Sequence, residues 1–421
     1  MKTSDENKKT ATAGKGGFFS AANIQVVLLF VILLTQPFKK MHGLTNLFLI
    51  LALVFIIVMI VKKRFFPLPR PFLYILVAYT ASIILSTIIS IDVEESIDGI
   101  RSEYLKQMIA FCLILAGAAE TRKIRNTVLG AFFLSGLIMS TIGFFPYFFG
   151  FFTTNDHRLL SLSGSYTRLA YFYLFYIPFL ILLLPGKETR GKVGIYILMA
   201  LGLAATFFSK TRVAWITLPP SMLLVCILTK KWRTLLILAL IFILCTGALF
   251  ILSPTLRSRA GDFRELLDWS GSFGERLPLW KSAAKSIRQH PILGRGYGKY
   301  IFRKIYLENP VEGGQAKSDT HNTFIELLVQ RGALGFLTTF LVYLFFLKLA
   351  WRRHVEGTPR GRAYFAYFVT ISFGLALFSM VDNIYVKETG RYLWQLAALG
   401  FLPIQSPKGD HSHSPGRQDR S

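Results

Sequence analysis

Cysteine is scarce in this chain of 421 residues, which holds three, and carboxylates are outnumbered, with 23 Asp and Glu against 48 Lys and Arg. The three cysteines, Cys112, Cys226 and Cys245, all fall inside apolar runs. No disulfide framework can staple the polar segments, and no thiolate cage for a metal can form there, which leaves packing as their role. The N-terminal tail lacks a secretory cleavage signal, because no small-residue cleavage site follows its first apolar run, so that run is expected to be kept as a span. There is no internal repeat. The longest polar segment, 253–320, is poor in carboxylates, which speaks against a divalent-cation site built there.

Apolar residues, in contrast, make up 52% of the chain, and the mean hydropathy is +0.46, a balance foreign to soluble globules of this length. Runs near the roughly 17 to 25 residues needed to cross the hydrocarbon recur along the sequence. They lie near 23–37, 44–61, 71–90, 107–119, 126–150, 168–185, 193–209, 213–229, 233–252, 322–349, 363–382 and 390–404. Peptide groups inside a bilayer must satisfy one another, so each span is expected to be helical. The fold class is an all-α integral membrane protein with about twelve transmembrane helices. Its organisation reads as a cytoplasmic tail (1–22), nine spans (23–252), one large outer loop (253–321), three spans (322–404) and a disordered cytoplasmic tail (405–421) rich in Ser, Pro and Gly. His411 and His413 in that last tail could bind a stray metal, but solvated disorder is the simpler reading.

The net charge of +25 could signal nucleic acid, but the distribution of the cations points to a membrane. With the N-terminus inside, one side receives Lys62-Lys63-Arg64, Arg122-Lys123, Lys187 with Arg190 and Lys192, Lys230-Lys231 with Arg233, and Arg352-Arg353 with Arg360 and Arg362. This is the positive-inside pattern, and it sends 253–320 outward. The opposite short loops hold fewer cations, and the one from Asp92 to Glu103 is acidic.

The outer segment carries Arg257, Arg259, Arg264, Arg276, Arg288, Arg295 and Arg303, includes His290, and ends at His321-Asn322. From Ser272 to Gln289, Leu277, Trp280, Ala284 and Ile287 recur at helical spacing, with Lys281, Lys285 and Arg288 off that stripe, so an amphipathic helix is expected. Gly294-Arg295-Gly296-Tyr297-Gly298 is a turn that could bring backbone close to a ligand, or simply turn the chain. His321 at a helix start would be kept neutral by the helix dipole and could then accept a proton, unless it merely caps the helix. Glu326 could face the bundle interior or the water boundary. Lys210-Thr211-Arg212 joins two spans at the same face: Lys210 could snorkel, while Arg212 has the two-pronged geometry that grips phosphate. Asp382-Asn383 could orient His321, pair with an arginine, or only end a helix. Arg168 opens a span on that side, after a loop bearing Asp156-His157-Arg158.

Three stretches together carry a resemblance: Ser-Lys-Thr-Arg212-Val-Ala-Trp at a span start; Glu275-Arg276-Leu-Pro-Leu-Trp280 with Pro291-Ile-Leu-Gly294-Arg-Gly296-Tyr-Gly298; and His321-Asn-Thr-Phe-Ile-Glu-Leu-Leu-Val-Gln-Arg-Gly332. Over 209–335 the chain resembles the bacterial O-antigen ligase family, which shares this region with O-antigen polymerases and some O-linked oligosaccharyltransferases. The resemblance implies transfer of a glycan from undecaprenyl diphosphate to a lipid A-core oligosaccharide in lipopolysaccharide biosynthesis, on the periplasmic face of the bacterial inner membrane. It gives His321 the catalytic role and Arg212 and Arg276 the diphosphate, and Asp382 matches by approximate placement; the residue reading adds Lys210, Asn322, Arg168 and Arg295 as supporting candidates. It implies an inverting glycosyltransferase with no cofactor and no metal. The donor is the undecaprenyl-diphosphate-linked O-antigen and the acceptor is lipid A-core; no nucleic acid takes part. Three alternatives stay open: a polymerase that takes a second lipid-linked glycan as acceptor, a metal-dependent enzyme using Asp92, Glu94 and Glu95, and a non-enzymatic flippase of lipid-linked glycan.

Overall fold

A computed structural model describes residues 20–154, 158–184, 189–252, 274–383 and 388–403. The two tails, Asp156-His157, Lys187, Arg257, Arg259 and Arg264 lie outside the described residues. Within them the chain is helical, with only an isolated bridge between Thr153 and Leu159 in place of a sheet.

The first half contains α1 (Ala21–Thr35), α2 (His42–Val61), α3 (Arg70–Ile88), the short α4 (Val93–Gly99) and α5 (Leu105–Leu115), followed by α6 (Thr121–Ser140), α7 (Tyr166–Leu183), α8 (Thr189–Phe208), α9 (Arg212–Leu228) and α10 (Trp232–Leu252). Among the described residues of the polar segment, two helices follow, α11 (Arg276–Gln289) and α12 (Ile301–Glu308). The chain closes with α13 (Thr323–Val355), α14 (Pro359–Ser379) and α15 (Glu388–Phe401). Each of the twelve apolar runs falls on a helix, but among the described residues seven helices are long and apolar enough to cross a membrane. The count of twelve crossings is therefore larger than the described helices support. One reason is visible in α5, which continues from α4 through a π-helical turn at Ile100–Tyr104 as one unbroken helix over 93–115, whose first part carries Glu94, Glu95, Asp98, Arg101 and Glu103. Its C-terminal end is tied inside the bundle, where Gln25 donates to Leu113 O (2.8 Å) and accepts from the N–H groups of Ala118 and Ala119.

Apolar side chains face outward as well as inward. On α2, Leu47, Ile50, Val54, Ile57 and Val61 are exposed, while Thr45, Leu49, Ala52, Ile56 and Met59 pack inside. A water-soluble protein does not present such an apolar surface, and lipid tails cover it at no cost. The chain is a multi-pass membrane protein.

The polar segment has its own small core, in which Leu279 and Ala283 of α11 and Ile301, Phe302, Ile305 and Tyr306 of α12 meet Val329 of α13. The helix expected over 272–289 is described from Arg276, and its buried face is offset from the expected stripe. Leu279, Ser282, Ala283 and Ser286 are buried, Trp280 and Ile287 flank them, and Leu277 and Ala284 face out. Small residues let α11 approach α13 closely, so packing distance selected the face where hydrophobicity alone would have selected its neighbour.

A break in α13 fixes where this segment docks. Gly332 has φ +60°, ψ −164°, and the helical ladder is interrupted around it. The groups released pair with the stretch before α12: Ala333 N donates to Pro291 O, Leu334 N to Ile292 O, Arg295 N to Val329 O and Gly296 N to Gln330 O, all within 3.0 Å. Gly294 (φ +68°) sits so close that a Cβ there would lie 2.4 Å from the Gln330 carbonyl carbon. The glycine-rich turn thus brings backbone against α13, where a ligand had been one expectation.

Candidate active site

Four turns converge on one cavity of about 460 Å³ at the end of the bundle where α9 and α13 begin and α14 ends. Between α8 and α9, Lys210 adopts φ +51° and is 3% exposed, and the turn delivers Arg212 as the first residue of α9. Arg276 arrives as the first residue of α11. His321 stands just before α13, and Asp382 just beyond α14. The structure brings all five to the cavity wall.

The His321 loop is held from three directions. Asn322 is the N-cap of α13, its Oδ1 accepting from the N–H groups of Phe324 and Ile325, while its Nδ2 donates to Met380 O (2.9 Å). Thr323 Oγ1 donates to Asp382 O (2.9 Å), so the start of α13 is joined to the end of α14. Glu326, 3% exposed, accepts from Thr320 N (2.8 Å) and from Gln330 Nε2 (2.7 Å), and Trp280 Nε1 of α11 donates to Thr320 O (3.0 Å). Asn322 and Glu326 therefore act on the shape of the loop. His321 itself is bent to φ +50°, a conformation that favours glycine and that a β-substituted residue holds only when its surroundings impose it.

Imidazole Nδ1 lies 3.4 Å from Asp382 Oδ1 and 3.4 Å from Asp319 Oδ1. The Asp319 oxygen also accepts His321 N (3.0 Å), and the Asp382 oxygen accepts Asn383 N (2.8 Å). A carboxylate opposite Nδ1 favours the tautomer with its proton there, which leaves Nε2 with the lone pair. The expected neutralising influence of the helix dipole is outweighed. Asp382 first, with Asp319, raises the His321 pKa above its ordinary 6.5, against burial and the charge of Arg276. Asp319 is a residue that sequence reasoning passed over; its signal was its place two positions before His321.

The three groups form a converging set, with ligand atoms within 4.8 Å of one another, that could hold a metal ion. Cations crowd the same space. Burial lowers the Arg276 pKa, the carboxylates of Asp382 and Asp319 oppose that, and neighbouring Arg212 adds to it. Arg158 also lines the cavity, over the Tyr166 ring at 4.6 Å, with its Nε buried and without a hydrogen-bond partner. Lys210, Arg212, Arg276 and Arg158 thus share a space suited to an anion.

Two of the supporting candidates stand elsewhere. Arg295 pairs with Glu308 (2.8 Å). Arg168 lines a separate polar cavity of about 260 Å³ with Glu95, Asp98 and Lys106. The acidic loop is engaged too: Asp92 caps α4 and forms an ion pair with Lys304, which lowers its pKa, while Glu95 accepts from Tyr300 N (3.1 Å).

An uncharacterized protein of Haemophilus influenzae is 24% identical over 172 residues, which cover 38% of this chain and 43% of that protein. Residues 197–340 match the family model described as O-antigen ligase. That stretch holds Lys210, Arg212, Arg276, Asp319 and His321 together with the broken start of α13, and over it the chain is similar to the O-antigen ligase family.

Proposed function

We propose that the protein is an O-antigen ligase: an inverting, metal-independent glycosyltransferase that moves a polysaccharide from undecaprenyl diphosphate to a hydroxyl of the lipid A-core oligosaccharide. The cavity then opens on the periplasmic face of the inner membrane. The observation that carries this reading is the convergence of four cations and a carboxylate-backed histidine on one cavity at one end of an apolar bundle.

The chemistry follows from that arrangement. The diphosphate leaving group gathers negative charge as its bond to the anomeric carbon breaks, and Arg212 and Arg276, with Lys210 and Arg158, stabilise it without reorganising. The acceptor hydroxyl attacks the opposite face of that carbon and gives its proton to His321 Nε2, while Asp382 and Asp319 hold the Nδ1 proton and favour the imidazolium that forms. One in-line displacement inverts the anomeric centre. The Asp319-His321-Asp382 set serves the imidazole rather than a metal, because the adjacent guanidinium groups oppose a divalent cation and do its work on the diphosphate.

The test is reconstituted transfer, with purified protein in vesicles containing lipid-linked glycan and supplied with lipid A-core. Glycosylated lipid A-core is the expected product, and His321→Ala at unchanged abundance should lose about 10² to 10⁴ in rate. Elongation of the lipid-linked glycan without acceptor glycosylation would make the protein a polymerase, and near-normal transfer by the alanine variant would remove His321 from the chemistry.

A further inference from the structure

At the opposite end of α14, about 26 Å along its axis from the candidate active site, lies a second cavity of about 350 Å³. Its walls come from α6, α7, α14 and α15, and its interior is apolar, with Phe132, Phe175, Phe179 and Leu399. Three arginines stand at its polar end: Arg125, Arg353 and Arg360. Arg353 is spent on the protein, donating to Gly400 O (2.8 Å) and Leu402 O (2.7 Å) and pairing with Glu356.

Arg125 and Arg360 are differently placed. Neither has a carboxylate partner among the described residues, and the charges that bear on Arg125 are those of Arg360 and Arg122, all of one sign. Arg125 is part-buried and Arg360 exposed, and two like charges at the polar end of one cavity attract an anion. Gln395, 3% exposed, closes the cavity on another side, donating through Nε2 to Gln36 Oε1 (3.3 Å). The apolar wall excludes ordered water as the filling, and free phosphate would leave that wall uncovered. An occupant with a phosphate at one end and hydrocarbon at the other meets both halves, and the bilayer holds such a molecule in quantity.

We propose that this cavity is a binding site for an anionic glycerophospholipid, with the phosphate between Arg125 and Arg360 and an acyl chain among Phe132, Phe175 and Phe179. The site joins α6, α7, α14 and α15 at the face away from His321, and it stands whether or not the glycosyltransferase reading does.

The experiment titrates delipidated, detergent-purified full-length protein with phosphatidylglycerol or phosphatidylcholine and counts retained lipids by native mass spectrometry. Phosphatidylglycerol should bind at least about tenfold more tightly. Arg125→Gln with Arg360→Gln should abolish that preference, whereas Lys62→Gln with Lys63→Gln, exposed cations outside the cavity, should leave it intact. Ala363→Trp, which fills the apolar part and keeps every arginine, should lower retention of both lipids. Equal affinity for the two lipids, a preference that survives loss of both arginines, or unchanged retention in the tryptophan variant would overturn the proposal.

Discussion

Replacing Asp382 by asparagine isolates the electrostatic part of the proposed base. The amide keeps the size of the carboxylate, and its oxygen can still accept Asn383 N, which Asp382 now holds at 2.8 Å. What disappears is a negative charge 3.4 Å from His321 Nδ1. In bulk water two unit charges at that distance attract by about 1.2 kcal/mol, and near a protein surface by about four times as much. The imidazole is 37% exposed and the carboxylate 21%, so solvent screening keeps the effect near the lower figure, at about 1 kcal/mol. The sign is fixed by the direction of the shift. His321 is raised above 6.5 by Asp382 and Asp319, and a base must be neutral to work, so the wild-type rate should climb with pH through a midpoint above 6.5. Asp382→Asn should move that midpoint down and lower the plateau, because the imidazolium formed in the transition state loses its partner. Transfer measured in vesicles over a pH series, at saturating donor, reads both. A variant whose midpoint stays within about 0.2 unit of wild type would show that the titrating group is not His321, and the base assignment would fall.

Arg212→Lys and Arg276→Lys should each lose about tenfold or more in transfer, since an ammonium keeps the charge but not the paired hydrogen bonds, while Arg288→Lys on the exposed face of α11 should be silent. Full activity in either lysine variant would reduce that arginine to a source of general positive potential. Transfer should persist in excess EDTA; if the chelator stopped it and Mg²⁺ or Mn²⁺ restored it, Asp319, His321 and Asp382 would be ligands and the arginine mechanism would be wrong.

The helical class was legible from composition because a bilayer leaves a spanning chain few choices, and each apolar run did fall on a helix. The number of crossings was not legible by the same logic. An apolar run does not show the whole helix that carries it: α5 continues unbroken from α4 through Ile100–Tyr104, and the charged first part of that helix was read as a loop. The face of α11 misled for a related reason. Periodicity ranks residues by hydrophobicity, whereas the buried face of α11 includes Ser282 and Ser286.

At the site, the residues placed most surely in advance were those on short turns beside helix starts. Lys210, Arg212 and His321 lie within a few residues of a bundle end, so sequence position alone sets their depth in the membrane. Asp382 belongs to the same plane for that reason, yet its partnership with His321 depends on two side-chain bonds, Asn322 to Met380 O and Thr323 to Asp382 O, that no periodicity encodes. Arg158 and Asp319 were hidden in polar loops where a charge is ordinary. What makes them different is three-dimensional: a ring beneath one guanidinium and a backbone N–H on one carboxylate. Glu326 shows the converse. A carboxylate in an apolar run could face the bundle interior or the water boundary; it is buried, and its two oxygens are engaged by Thr320 N and Gln330 Nε2, so its contribution is to hold the loop that presents His321. The strained φ of His321 is the consequence of that hold: the cap at Asn322, the latch at Glu326 and the Trp280 bond fix the residues on either side, and the imidazole is left only the direction that faces the carboxylates and the cations.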